Sequence, residues 1–402
     1  MKQSMWIKPC LLLLLLFFAI GNGSVCASDK LVLQLPWHHQ FQFAGYYMAE
    51  EQGYYRDAGL SVEIHDITQG SNPIEGVLSG RVDFGVSGPG LIVERSQGKP
   101  VVAVASIFQQ SPTVFLSLEQ SGIREPADFI GKKVMLSPGY QSLPLLALLL
   151  QEKLLDKIER LETSFDSHSL LNGQTDVFNG YSSNEPYQLE AQGYATNIID
   201  PAEYGINFYG DTLFTSETFI QKHPEVTESF RQASLRGWEY AVAHPDAAIA
   251  VIQAKYKCQK TVAALRYEAA ETIKLIQADQ VEIGDMDLLC WRKISRHLIA
   301  LGMVSPDFYL SKHFLYDPPP GIPWKKLHEG IIGVFLGLIL LTTVVFFVSK
   351  KNFQLKTIQK QLEKEKYFSI SLIDTAQIII LVLDPQGRII SFNPYMEKIT
   401  GY

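Results

Sequence analysis

Eighteen successive residues without a charge, Ile331 to Val348 (IIGVFLGLILLTTVVFFV), constrain this chain more than any other feature. Wound into a helix, such a run matches the thickness of a bilayer's hydrocarbon core. Trp324 stands just ahead of it, where an interfacial aromatic belongs. Lys350, Lys351, Lys356 and Lys360 follow it, against Lys325 and Lys326 before it, and that basic excess puts the C-terminal side in the cytoplasm. The N-terminus reads as an export signal over 1–27: Lys2 and Lys8, an apolar run from Leu11 to Ile20, and Val25-Cys26-Ala27 as the cleavage site before Ser28. Bulky Val25 argues against lipidation of Cys26. The expected arrangement is single-pass in a bacterial inner membrane, with Ser28 to about Glu329 outside and the remainder inside.

The outer part must fold by itself, and its composition permits that. Of 402 residues, 47% are hydrophobic and 19% charged, enough for a sizeable core. A net charge of −7 gives no reason to expect nucleic acid as a partner. Once the signal is removed, Cys258 and Cys290 remain; their spacing fits no metal motif, and a disulfide and two separate thiols both stay open.

Strand-like and helix-like runs alternate through the outer part, which predicts an α/β fold with largely parallel sheets. Leu31–Leu35, Ser61–Ile67, Asp83–Val86 and Val101–Ile107 read as strands, and Gly45–Asp57 as a helix. A near-repeat suggests two similarly built lobes. Leu78-Ser79-Gly80-Arg81-Val82-Asp83 is echoed by Leu171-Asn172-Gly173-Gln174-Thr175-Asp176, each a helix closed by a left-handed glycine before a strand. The expected boundaries are 28–320 for the whole outer domain, with lobe 1 at about 29–114 plus 209–320 and lobe 2 at about 115–208. From Leu213 onward the pattern is mostly helical, and Pro318-Pro319-Pro320 makes a stiff approach to the membrane segment at 331–348. Residues 349–370 read as a helical connector. Leu355, Ile358 and Leu362 recur on one face of it, fit for a homodimer seam. Beyond it, Ile378–Leu383 and Arg388–Phe392 read as strands around Asp384-Pro385-Gln386-Gly387.

From Leu35-Pro36-Trp37-His38-His39 the chain resembles the periplasmic solute-binding proteins related to the sulfonate binders and the fungal thiamine-pyrimidine synthase. Gly45-Tyr46-Tyr47-Met48-Ala49, Gly53-Tyr54-Tyr55, Gly80–Gly85, Gly131–Val134 and Asn184-Glu185-Pro186-Tyr187 continue the match over roughly residues 30–300. The resemblance implies a type II two-lobed binding-protein fold and a small organic ligand, aminopyrimidine-like or another small heteroaromatic. In the enzyme's pattern a lysine falls two residues after the glycine matching Gly85, with a histidine four residues further on; here those positions are Ser87 and Leu91. Its cysteine-rich iron-binding run is replaced by Tyr209–Phe214. Without the amine there is no Schiff base, and without the thiolates no iron site, so no cofactor, metal or catalytic residue is expected in the outer domain. Residues 371–402 resemble the first third of a PAS sensor domain. That implies a fragment of a longer receptor or a truncated gene; an output of histidine-kinase or diguanylate-cyclase type, or none, stays open.

Ligands of two-lobed proteins sit between the lobes, against loops at the carboxyl ends of strands. Trp37 and His39 follow the first strand, where a ring face and a polar edge suit a flat heterocycle. Their alternative role is packing at the hinge. Ser87 and Gly88 offer a hydroxyl and backbone N–H groups, and Tyr140 opens a helix whose N-terminus favours a negative or accepting group. Asn184 and Glu185 form the sharpest polar pair. In pyrimidine-binding relatives an acidic residue receives the amino edge, and Glu185 is the matching position, although the pair also suits a helix cap. The overall expectation is a sensor whose lobes close on a ligand and pass motion to the PAS-like segment. The rivals are a thiamine-precursor enzyme and a membrane-tethered receptor of a transporter.

Overall fold

The computed structural model describes residues 30–69, 72–318 and 324–401. The signal-sequence reading, Pro319 and Pro320, and the side-chain roles read for Trp324, Lys325 and Lys326 lie outside the described residues. The chain divides into two compact units, 1–319 and 320–402.

Among the described residues of the first unit there are ten strands: β1 (Lys30–Gln34), β2 (Ser61–His65), β3 (Phe84–Ser87), β4 (Val101–Ser106), β5 (Thr113–Leu118), β6 (Lys133–Leu136), β7 (Glu159–Glu162), β8 (Phe178–Tyr181), β9 (Thr196–Ile199) and β10 (Thr212–Ser216). One lobe holds a five-stranded sheet in the order β2-β1-β3-β10-β4, and the other holds β8-β5-β9 beside the pair β6-β7. Two crossings join the lobes side by side: Ile107 N–H donates to Asp211 O at 2.8 Å, and Gly210 N–H to Phe108 O at 3.0 Å.

Two expectations need correction. The sheets are mixed rather than largely parallel. β1 pairs in parallel with β2 and β3, and β6 with β7, but β10 runs antiparallel to β3 and β4, and β5 antiparallel to β8 and β9. The chain is also not helical from Leu213, because Thr212–Ser216 is strand. After the second lobe it re-enters the first sheet from the opposite direction, between β3 and β4, so β10 must run antiparallel there. All five of its residues are buried, so it lacks the polar–apolar alternation that marks a strand in sequence.

The near-repeat is a repeated structural device. Gly80 and Gly173 have φ of 71° and 68°, the left-handed backbone that costs a glycine nothing. The aspartate three residues on does the same work twice: Asp83 Oδ2 accepts from Val32 N–H of β1, and Asp176 Oδ2 from Lys133 N–H of β6, each at 2.8 Å. Each copy thereby ties a helix exit to a strand of its own lobe.

Helices Pro224–Ala243, Pro245–Lys255 and Val262–Ile276 cover one face of the first sheet together with helix Ala44–Glu51. A second core cluster runs from the other face of that sheet (Val101, Phe214) through Trp291 and into the second lobe at Phe115 and Leu148. The expected α/β binding-protein architecture is therefore met, with an apolar core continuous between lobes.

In the second unit one helix, Trp324–Thr375, runs without interruption. Its segment from Ile332 onward is long and apolar enough to cross a membrane. The expected span and connector are one element. The antiparallel strands β11 (Leu381–Leu383) and β12 (Ile389–Phe392) follow, then a helix at Pro394–Thr400. β11 begins three residues later than the expected Ile378. Buried Asn393 explains this: its Nδ2 donates to the carbonyls of Ile373, Ala376 and Ile378, and its Oδ1 accepts from Ile380 N–H. That clamp holds residues 376–380 as a link between helix end and hairpin.

Candidate functional site

A cleft of about 880 Å³ opens between the lobes, and a second compartment of about 600 Å³ adjoins it. The two share Pro36, Trp37, Gln141, Phe165 and Tyr181 as walls. Trp37, His39, Asn184 and Glu185 line the larger compartment, and Trp37, Ser87, Gly88 and Tyr140 the smaller. Each of the seven residues read from sequence thus borders one or other of these two adjoining compartments, in unequal roles.

Trp37 projects from the loop after β1. That loop is held by buried Gln34, whose Nε2 donates to Leu35 O and Asp66 O, both at 3.0 Å. Its ring meets Phe165 of the opposite lobe, with centroids 5.9 Å apart and planes tilted by 37°. Phe165 sits at φ 57°, an uncommon backbone for an aromatic, and more than half of it is exposed. These two rings form the partition between the compartments. His39 is less free than its position in sequence suggests. Its Nδ1 lies 2.9 Å from the Tyr47 hydroxyl and its ring packs on Tyr256 at 5.0 Å, while burial lowers its pKa and favours the neutral imidazole.

Asn184 and Glu185 open helix Glu185–Glu190. Asn184 takes the N-cap position, yet its side chain bonds no helix N–H. Instead its Nδ2 donates to Glu185 Oε1 at 2.7 Å, and its Oδ1 accepts from Gln188 Nε2 at 3.2 Å. Glu185 Oε2 accepts from Tyr181 N–H at 2.6 Å. Burial raises the Glu185 pKa, opposed by these hydrogen bonds and by Lys260. These donors leave part of the carboxylate's acceptor capacity unused.

Tyr140 contributes a ring wall and no free hydroxyl, because its O–H donates to Glu94 Oε1 at 2.6 Å. Burial and that carboxylate push its pKa up to about 12. Ser87, where the resemblance would place a lysine, faces the smaller compartment, and among the described residues no lysine lines it; Leu91, at the histidine position, is fully buried. A pyridoxal Schiff base does not fit these residues. Among the described residues no three His, Cys, Asp or Glu side chains gather as metal ligands. Cys258 and Cys290 are both free thiols, which closes the disulfide alternative.

Sequence reading missed Phe165, Asn179, Tyr181, Asp211, Tyr256 and Lys260. Asn179 is buried; its Nδ2 donates to Ser137 Oγ, and its Oδ1 has no partner although it borders the larger compartment. A usable signal existed for two of the lining positions. The near-repeat is offset by 93 residues (Gly173 against Gly80), which carries Ser87 and Gly88 onto Gly180 and Tyr181. Nothing local marks Phe165 or Asp211.

The family described as "NMT1/THI5 like" matches residues 40–248, just over half of the chain. The formylaminopyrimidine-binding protein of Halalkalibacterium halodurans is 28% identical over 256 residues, 60% of this chain and 76% of that protein. The riboflavin-binding protein RibY of Chloroflexus aurantiacus is 26% identical over 309 residues, 73% and 87% respectively. Among solved structures, the alkanesulfonate-binding protein SsuA from Xanthomonas axonopodis pv. citri, bound to MOPS, superposes with a TM-score of 0.56. It is 13% identical and covers 72% of this chain and 99% of its own, a likeness of fold alone.

Proposed function

The chain belongs to the NMT1/THI5-like family, and on that premise we propose that residues 28–320 bind a small heteroaromatic solute, aminopyrimidine-like, in the cleft between the lobes. The observation that carries this reading is that Trp37 and Glu185 both line the cleft between the lobes. Trp37 supplies a ring face for stacking, and Glu185 supplies a carboxylate for an exocyclic amine or a protonated ring nitrogen. Two relatives carry ligand names, formylaminopyrimidine and riboflavin, that denote flat nitrogen heterocycles with polar edges.

Calorimetric titration with formylaminopyrimidine, 4-amino-5-hydroxymethyl-2-methylpyrimidine and riboflavin tests the proposal. Trp37→Ala and Glu185→Ala should each weaken the bound ligand by roughly 1–3 kcal/mol, the value of a stack or of a charged hydrogen bond, without unfolding the protein. Unchanged affinity in both variants would sink the assignment.

The outer domain, in this proposal, is a sensor anchored by helix Trp324–Thr375, with its C-terminal side cytoplasmic. Binding favours the state in which both lobes touch the ligand. The apolar core that continues between lobes argues for a small closure centred on Trp37 and Phe165. The uninterrupted helix supports a rigid relay, and Leu355, Ile358 and Leu362, all exposed along it, are the proposed homodimer seam. One residue inserted after Gln359 should rotate the downstream residues by about 100°, the turn per residue of an α-helix. In a receptor with an output domain attached, that insertion should disrupt the ligand response and leave ligand affinity intact. Normal signalling after one, two, three and four inserted residues would make the segment a passive tether.

A further inference from the structure

The two compartments differ in charge. Lys255, Lys257 and Lys260 border the larger one, whereas Asp211 is the only charged side chain among the described residues lining the smaller. Asp211 stands where the chain crosses back into the first lobe, with 7% of its surface exposed. Gln42 Nε2 donates to its Oδ2 at 2.9 Å, the one side-chain hydrogen bond it receives among the described residues. The titratable groups facing it are Tyr46 of helix Ala44–Glu51 and Tyr181 of β8. Burial holds both phenols neutral, and among the described residues no Lys, Arg or His borders this compartment. Burial also lifts the Asp211 carboxyl to about 7.

We infer that Asp211 makes the smaller compartment selective for an uncharged or cationic, hydrogen-bond-donating arm of the ligand and closes it to phosphate and sulfonate arms. The inference rests on the proposed heteroaromatic site and names which members of that class it takes. A phosphate here would set a second anion beside a buried carboxylate with no cation to offset either, and like charges in a poorly hydrated cavity repel strongly. The turn at Pro138-Gly139-Tyr140 was expected to favour a negative group. A helix N-terminus offers about half a positive charge at most, less than the full negative charge of an ionised Asp211. The carboxylate therefore decides the sign of the compartment.

Matched ligand pairs that differ by one phosphate test this on the full chain in detergent micelles at pH 8. One pair is 4-amino-5-hydroxymethyl-2-methylpyrimidine and its phosphate ester; the other is riboflavin and its 5′-phosphate. The wild-type protein should prefer the uncharged member of the bound pair at least about tenfold, the scale of a like-charge contact. Asp211→Asn should reduce that preference to about threefold or less, since the isosteric amide removes the charge and keeps an acceptor for Gln42. Asp211→Ser should reduce it as well, which guards against a fault peculiar to the amide. Equal wild-type affinity for both members, or an undiminished preference in both variants, would overturn charge selection while leaving the ring site standing. Failure of every member to bind would overturn the ring site itself, and this inference with it.

Discussion

Asp211→Asn should make the protein more stable at pH 8 and leave its stability near pH 4 unchanged. The direction comes from linkage. Asp211 titrates near 7 in the folded protein, against 3.8 for the unperturbed side chain, because burial disfavours its charged form. Below about pH 4 the carboxyl is protonated in both the folded and unfolded states, so it costs nothing. Between about 4 and 7 only the unfolded state ionises, so wild-type stability falls as the pH rises, and the full cost persists above 7. The asparagine does not titrate and escapes that loss, a gain on the order of 2–4 kcal/mol at pH 8. Thermal melts of both proteins from pH 4 to pH 8 check it, and a difference independent of pH would remove burial of a charge as the cause. A buried carboxylate that destabilises its own fold is what a binding residue retained for selectivity would look like.

Gly237→Ala should cost at least about 3 kcal/mol, because the clash it creates is with backbone and cannot be relieved by a rotamer change. A Cβ at Gly237 would lie 2.1 Å from Gly45 O and 2.6 Å from Ala49 N. Gly45 is equally constrained, since its Cβ would meet the ring of buried Trp238 at 2.1 Å. Helices Ala44–Glu51 and Pro224–Ala243 thus cross backbone to backbone. Tyr47, whose hydroxyl holds His39 at the cleft, rides on the first of them. Denaturant unfolding of Gly237→Ala beside Glu239→Ala, an exposed position on the same helix, isolates the effect. The Glu239 change should stay within about 0.5 kcal/mol, as surface substitutions do. Equal stability of the two variants would mean that the crossing can relax.

Some features of this protein are one-dimensional and were legible without coordinates. The uncharged stretch from Ile331 to Val348 is such a feature, since length and absence of charge need no partner to be recognised. Gly80 and Gly173, each with an aspartate three residues on, are another: left-handed backbone is a local demand, and the two copies report two lobes built by one device. Trp37 was singled out because it follows the first strand, and Glu185 because it matches an acidic position of the resembling family; both line one cleft. Tertiary structure alone decided the rest. β10 lies between β3 and β4 because the chain returns from another lobe, and an all-buried strand carries no periodic signature of that return. Phe165 meets Trp37 across 128 positions of sequence, and Gln42 meets Asp211 across 169. The depth at which a carboxyl is buried, and hence the charge of a compartment, depends on neighbours that local sequence preference does not specify.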